Sequence, residues 1–158
     1  MEKEVVLVKW NIEKIWENSS EFKNHKDALH SVLPQISAYW TFDAIGHRVV
    51  HGGEYFKNPI IITDEVVSKI EECVDLAPLH NPANLAVISA CKEIFPGIQQ
   101  IAVFDTAFHQ SMEPMHYLYP LPPEYYDKHK IRRYGFHWIS HQYVYNKLIE
   151  RLKDWKIE

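Results

Sequence analysis

Apolar residues along the chain fall into two periods. Between positions 24 and 39, Ala28, Leu29, Val32, Leu33 and Ile36 are three or four apart, the spacing that lines one face of a helix. Pro34 lacks an amide proton and crowds the turn before it, so the helix is expected to kink or end there. A second helix is predicted from an N-cap at Thr63 to about Leu76: Val66, Val67, Ile70, Cys73 and Val74 share a face, and Asp64 and Glu65 complement the helix dipole. Asn81-Pro82 reads as a cap followed by the first residue of a third helix, which runs to Phe95 and is stopped by Pro96-Gly97. Ser140 is expected to cap a last helix, with Val144, Leu148, Leu152 and Trp155 repeating along it.

Short apolar runs supply the strands. Residues 5–8 (Val-Val-Leu-Val) form one candidate, and residues 43–51, closed by the turn pair Gly52-Gly53, form another. Ile98 to Phe104 makes a third, with Asp105 at its carboxyl end. Residues 113–133, which contain Pro114, Pro120, Pro122 and Pro123, read as an irregular excursion. Helix, glycine, strand and acid in that order make an αβ unit. Ligands of open α/β sheets gather beyond the carboxyl ends of the strands, so Arg48, His51 and Asp105 stand where chemistry is expected.

Composition narrows the class. A chain of 158 residues is one domain's worth, long enough to bury roughly two-thirds of its unfolded surface. A net charge of −4 gives no basic face for nucleic acid. No apolar run approaches the roughly 18 residues that span a bilayer, and Met1-Glu2-Lys3-Glu4 ahead of Val5 to Val8 is too acidic and too short for a signal peptide, so a cytoplasmic protein without membrane contact is expected. Cys73 and Cys91 fall at apolar helix positions and read as buried thiols, which leaves no disulfide framework and no CxxC metal site. The aromatic residues concentrated from Tyr117 to Tyr145 read as core packing and shielding of a pocket, ahead of an interface.

The candidate chemistry lies in four short strings: HRVVHGGE (47–54), LAPLHNPAN (76–84), FDTAFHQSM (104–112) and RRYGFHWISH (132–141). They hold six of the ten histidines. A guanidinium on a largely buried strand, as Arg48 is expected to be, needs a carboxylate or phosphate, and Asp43 or Glu54 would serve within the chain. His80 reads as a loop or cap residue and Asp105 as a turn or N-cap residue. His137, after Gly135-Phe136, reads as a side chain aimed at a ligand or as a satisfied structural histidine. His47 and His51 share one face of a strand but lie about 13 Å apart along it, too far to share a zinc ion. With no HExxH or GxSxG string, metal-dependent and serine hydrolysis are set aside.

In this order and with these intervals, the four strings resemble the acetate kinase family from about Asn18 to about Arg151. The resemblance implies an α/β fold, a partial domain of the actin, sugar kinase and hsp70 (ribonuclease H-like) type with a mixed sheet flanked by helices. It implies that residues 1–158 form a single domain, most of the N-terminal, substrate-side half, with the nucleotide-binding half absent. The implied reaction is phosphorylation of acetate by ATP to acetyl phosphate, by direct in-line transfer with Mg2+. Arg48 would hold the substrate carboxylate and Val50, Leu79 and Phe136 the methyl group. His80 and His137 would act at the phosphoryl group, and Asp105 would belong to the polar set around the magnesium. Propionate or butyrate kinase is the neighbouring reading, since one methylene is worth only about 1–3 kcal/mol of discrimination.

The chain departs from the family at Trp138-Ile139, where the family has glycine and threonine. A large indole there predicts either an occluded site or a displaced His137. The family's glycine-rich phosphate loops are missing too, so no ATP site is expected within this chain. The expected partners are a short-chain carboxylate together with either self-association or a complementing C-terminal domain. The alternative is a catalytically silent remnant, serving as an interaction module or arising from a truncated reading frame.

Overall fold

The computed structural model describes residue 15 and residues 22–37 and 41–153 of the chain. The strand expected at Val5–Val8 and the Trp155 end of the last helix lie outside them.

Three strands form one mixed sheet. β1 (Ala44–Val49) runs parallel to β3 (Gln99–Phe104), and the two-residue β2 (Ile60–Ile61) is antiparallel to β3, giving the order β1-β3-β2. The helices are α1 (His25–Ser37), α2 (Asp64–Glu72), α3 (Asn81–Ile94), α4 (Pro114–Tyr117), α5 (Pro123–His129) and α6 (Trp138–Lys153). β3 is central because its alternate residues Gln100, Ala102 and Phe104 are all buried, as a period of two requires when one face meets the core. That core joins Val49, Phe104 and Ala107 to Val66 and Ile70 of α2, Ile88 of α3 and Trp138 of α6. The rings of Phe56 and Phe104 stack with centroids 4.3 Å apart, filling the space under the turn after β1.

Most predicted elements form where the pattern put them. Thr63 caps α2, its hydroxyl accepting from the Val66 amide at 3.3 Å, and the helix passes into a 3-10 turn at Val74–Leu76. α1 runs through Pro34 as far as Ser37, the last residue described before position 41. Cys73 and Cys91 are both buried, and burial pushes the Cys73 thiol up to about 11. No helix among the described residues is long and apolar enough to cross a membrane.

Four expectations need correction. Residues 113–133 are not irregular throughout, because Pro114 and Pro123 each begin a short helix, the one helical place where proline costs no hydrogen bond. α6 starts at Trp138 rather than after a Ser140 cap, because burial of the indole draws the start of the helix onto the core. Along α6, Val144 and Leu148 are exposed. Finally, Asn81 is the first residue of α3 rather than its cap, and its side chain is committed to another strand end.

Candidate active site

Building the site begins at the exit of β1. Asn81 is fully buried; its side-chain oxygen accepts from the His51 amide at 3.1 Å and its nitrogen donates to the His51 carbonyl at 2.9 Å. One turn further along α3, the Asn84 oxygen accepts from the Val50 amide at 3.1 Å. Two asparagines thus satisfy main-chain groups that leave the sheet at Val50-His51, groups that burial would otherwise make costly. The Gly52 amide donates to the Thr106 hydroxyl at 3.1 Å and the Gly53 amide to His51 Nδ1 at 3.0 Å. Gly53 has φ +57°, which favours glycine, and a Cβ there would lie 2.8 Å from Cys73 Sγ.

The exit of β3 is held just as firmly. The Asp105 amide donates to the Val49 carbonyl at 3.0 Å, extending the parallel pairing by one rung, and the Asp105 carbonyl accepts from the Trp138 amide at 3.2 Å. Asp105 is thereby joined to β1 on one side and to the start of α6 on the other. Its carboxylate meets Arg48: Nε lies 3.0 and 3.1 Å from Oδ1 and Oδ2, and Nη2 lies 2.5 Å from Oδ2. The hydrogen bond to Asp105 holds the guanidinium above its ordinary range. The intrachain partner expected for Arg48 was Asp43 or Glu54, on a buried strand; instead the side chain is 59% exposed and its partner is Asp105, because the parallel pairing of β1 with β3 brings the end of β3 beside it.

Arg48, Val50, Leu79, His80, Asp105, Phe136 and His137 all line one cavity of about 560 Å3, closed on one side by Leu76, Ala77 and Pro78. Every site residue expected from the sequence therefore borders the same space. Their settings differ. Asp105 is buried, Leu79 is 84% exposed, and His80 stands exposed at the head of α3 with its side chain making no cap bond. His137 has φ +58°, and its carbonyl accepts from the His141 amide at 3.0 Å. Phe136 meets the edge of the His51 ring, centroids 5.6 Å apart, and Tyr134 meets it at 4.5 Å. Burial pushes His51 down to about 4, so the ring is neutral at physiological pH, with Nδ1 accepting. Trp138 does not occlude the cavity: its indole lies in the core, and His137 still reaches the cavity wall.

Sequence reasoning missed the frame around these residues. Glu54 accepts from Arg132 Nη1 at 2.8 Å and from the Tyr126 hydroxyl at 2.7 Å, with Lys130 Nζ 3.6 Å away. Burial raises the Glu54 carboxyl, but the bonds from Tyr126 and Arg132 outweigh it and hold the group below its ordinary range. The Arg132 guanidinium lies 3.6 Å from the Tyr117 ring centroid and 5.1 Å from that of Tyr134. Glu54 thus ties the segment carrying α4 and α5 to the turn after β1. An isolated glutamate after Gly-Gly carries no local signal of that kind; its partner is 78 residues away.

Neither a magnesium nor an ATP site is built from the described residues. Both Asp105 oxygens are engaged by Arg48, and no group of three His, Cys, Asp or Glu side chains stands ready for a metal. The amides of Gly52 and Gly53 are already spent on Thr106 and His51, so this Gly-Gly turn is no phosphate cradle.

The mixed α/β fold thus brings a guanidinium, a carboxylate and two histidines around one cavity. Comparison with known proteins narrows the class. The sequence pattern of the Acetokinase family matches residues 1–156, and the chain belongs to that family. It is 54% identical to the acetate kinase of Caldanaerobacter subterraneus subsp. tengcongensis over 140 residues, covering 84% of this chain and 35% of that protein. It is 52% identical to the acetate kinase of Thermoanaerobacter pseudethanolicus over 141 residues, with the same shares. Among solved structures, Porphyromonas gingivalis acetate kinase superposes with a TM-score of 0.79 at 46% identity, covering 85% of this chain and 36% of that one. A Francisella tularensis propionate kinase gives 0.76 at 45% identity, covering 82% and 34%. The fold is accordingly a partial actin, sugar kinase and hsp70-type domain. The chain spans about a third of the length of the curated relatives it matches.

Proposed function

We propose that this chain is most of the substrate-side domain of an acetate kinase, acting on acetate with ATP in the cytoplasm. The observation that carries the reading is the single cavity shared by Arg48, Val50, Leu79, His80, Asp105, Phe136 and His137, in a chain about half identical to acetate kinases.

The chemistry follows from the donors present. Asp105 occupies Arg48 Nε and Nη2, which fixes the plane of the guanidinium and leaves Nη1 to take a substrate carboxylate. A carboxylate bound there has its methyl group toward Val50, Leu79 and Phe136, where apolar contact favours a short chain. His80 and His137, on the other walls of the cavity, donate to the oxygens of the γ-phosphoryl group of ATP as the carboxylate oxygen attacks its phosphorus in line and the bond to the bridging oxygen breaks, ADP leaving with that oxygen. Asp105 acts through Arg48, and the described residues support no direct metal contact. Among the described residues no set fits ATP or Mg2+; a nucleotide-binding half like the remaining two-thirds of the relatives would hold them.

The test is acetyl phosphate formation from acetate, ATP and Mg2+ by this chain alone and by this chain mixed with the C-terminal two-thirds of a relative. Turnover in the mixture that is lost with Arg48→Ala supports the reading of this cavity as the acetate side of the enzyme. A mixture that forms a complex without turnover points to a silent remnant.

A further inference from the structure

We propose that His109 is a positioning residue for His137: its imidazole, seated against the Gly135 backbone, sets how the Tyr134–His137 segment lies over the cavity. Its importance to catalysis rests on the reading of His137 given above; the placement itself does not.

Gly135 has no Cβ, and one built there would stand 2.2, 2.2 and 2.3 Å from Cδ2, Cγ and Cε1 of His109. Near-equal distances to three ring atoms mean that the flat face of the imidazole covers this position. Any side chain at residue 135 would displace the ring or lift the backbone. His109 sits on the 3-10 turn Ala107–Ser111, three residues beyond the Asp105-Thr106 pair that anchors the end of β3. The ring therefore carries the position of β3 to the segment ending at His137.

His137 needs such support. A left-handed backbone is costly for a non-glycine residue and persists only where its surroundings over-determine it. Three of the constraints are already described: Phe136 against the His51 ring, the Trp138 amide on the Asp105 carbonyl, and the His141 amide on the His137 carbonyl. The Gly135–His109 contact is the fourth, and it fixes the segment immediately before the left-handed residue. His109 Nδ1 is buried without a hydrogen-bond partner among the described residues. The ring is thus held by its shape rather than by that nitrogen, so an apolar ring of similar size is expected to replace it.

The experiment is NMR on the full chain labelled at histidine and glycine. An NOE between the His109 ring protons and Gly135 Hα is expected in the unsubstituted protein. The His137 Cε1–Hε1 signal is followed during titration with inorganic phosphate and with acetyl phosphate, and thermal melting confirms folding. His109→Phe is expected to keep the His137 response, while His109→Ala and Gly135→Ala move the free His137 signal and lose the response. No NOE, or an unchanged His137 signal and response in folded His109→Ala, overturns the proposal. Should the variants fail to fold, the NOE in the unsubstituted protein decides. An NOE beside a His137 that answers neither anion sustains the positioning role and counts instead against phosphoryl transfer.

Discussion

Arg48 and Asp105 meet side-on across neighbouring parallel strands, with the guanidinium 59% exposed and the carboxylate only 2% exposed. This difference makes the pair asymmetric. Removing Arg48 strands a buried carboxylate, whereas neutralising Asp105 leaves a guanidinium that water can solvate. Arg48→Ala is expected to cost about 2 kcal/mol in urea unfolding, and Asp105→Asn less than about 1 kcal/mol. Equal losses would show that the two side chains are solvated alike. Both substitutions are expected to abolish acetate-dependent turnover in the complemented enzyme, because Arg48→Ala removes the guanidinium and Asp105→Asn loosens its plane.

The asparagine brackets at the exit of β1 predict a graded effect. Asn81→Ala removes both a donor and an acceptor from the buried His51 main chain, at a cost of about 2–3 kcal/mol; Asn84→Ala removes one partner of a half-buried amide, at about 1 kcal/mol. Urea midpoints at constant slope measure both, and the reverse order would mean that the His51 main chain finds water.

Arg132 is almost wholly buried, ion-paired to Glu54 and stacked on Tyr117. Arg132→Leu leaves Glu54 without its main partner and is expected to cost about 3 kcal/mol, while Glu54→Gln with Arg132→Leu together recovers much of the loss. A double-mutant cycle of urea unfolding tests this, and additive losses would exclude coupling.

Stability should fall below neutral pH for a reason that separates histidines from carboxylates. His51 is held neutral, down to about 4 from an ordinary 6.5, so the unfolded chain binds its proton first as pH drops. The stability due to the neutral ring is complete above pH 6.5 and is lost as pH falls toward 4, an amount on the order of 2–3 kcal/mol. Burial lowers His47 as well, against an opposing bond with Gln100, so it acts with the same sign. Glu54, held below its ordinary value, loses its contribution only as pH falls below about 4.5. The slope of unfolding free energy between pH 6.5 and 5 is therefore expected to shrink in His51→Gln, and an unchanged slope would mean that another group titrates there.

Much of this was legible in the sequence because the informative residues stand at element ends. Glycine pairs, prolines and strand-terminal acids mark those ends locally, and the four strings place Arg48, Asp105 and His137 in family order. What stayed hidden depends on contacts across long separations. Asn81 looked like a helix cap because its neighbour is proline, yet its amide serves a strand end 30 residues earlier. Arg48 was expected to seek Asp43 or Glu54, the nearest acids in sequence, whereas the parallel pairing of β1 with β3 delivers Asp105. β2, two residues long, has no alternation to read, and Trp138 in place of a family glycine could not announce that its indole would fill the core.

On the proposed function, this cavity takes a two-carbon carboxylate on Arg48. Titrating the folded chain with acetate while following backbone and histidine signals tests it without any nucleotide. Saturable shifts at Val50, Leu79, His80, Phe136 and His137, lost in Arg48→Ala, are the predicted result. Shifts that never saturate, fall elsewhere, or persist unchanged in Arg48→Ala would contradict it.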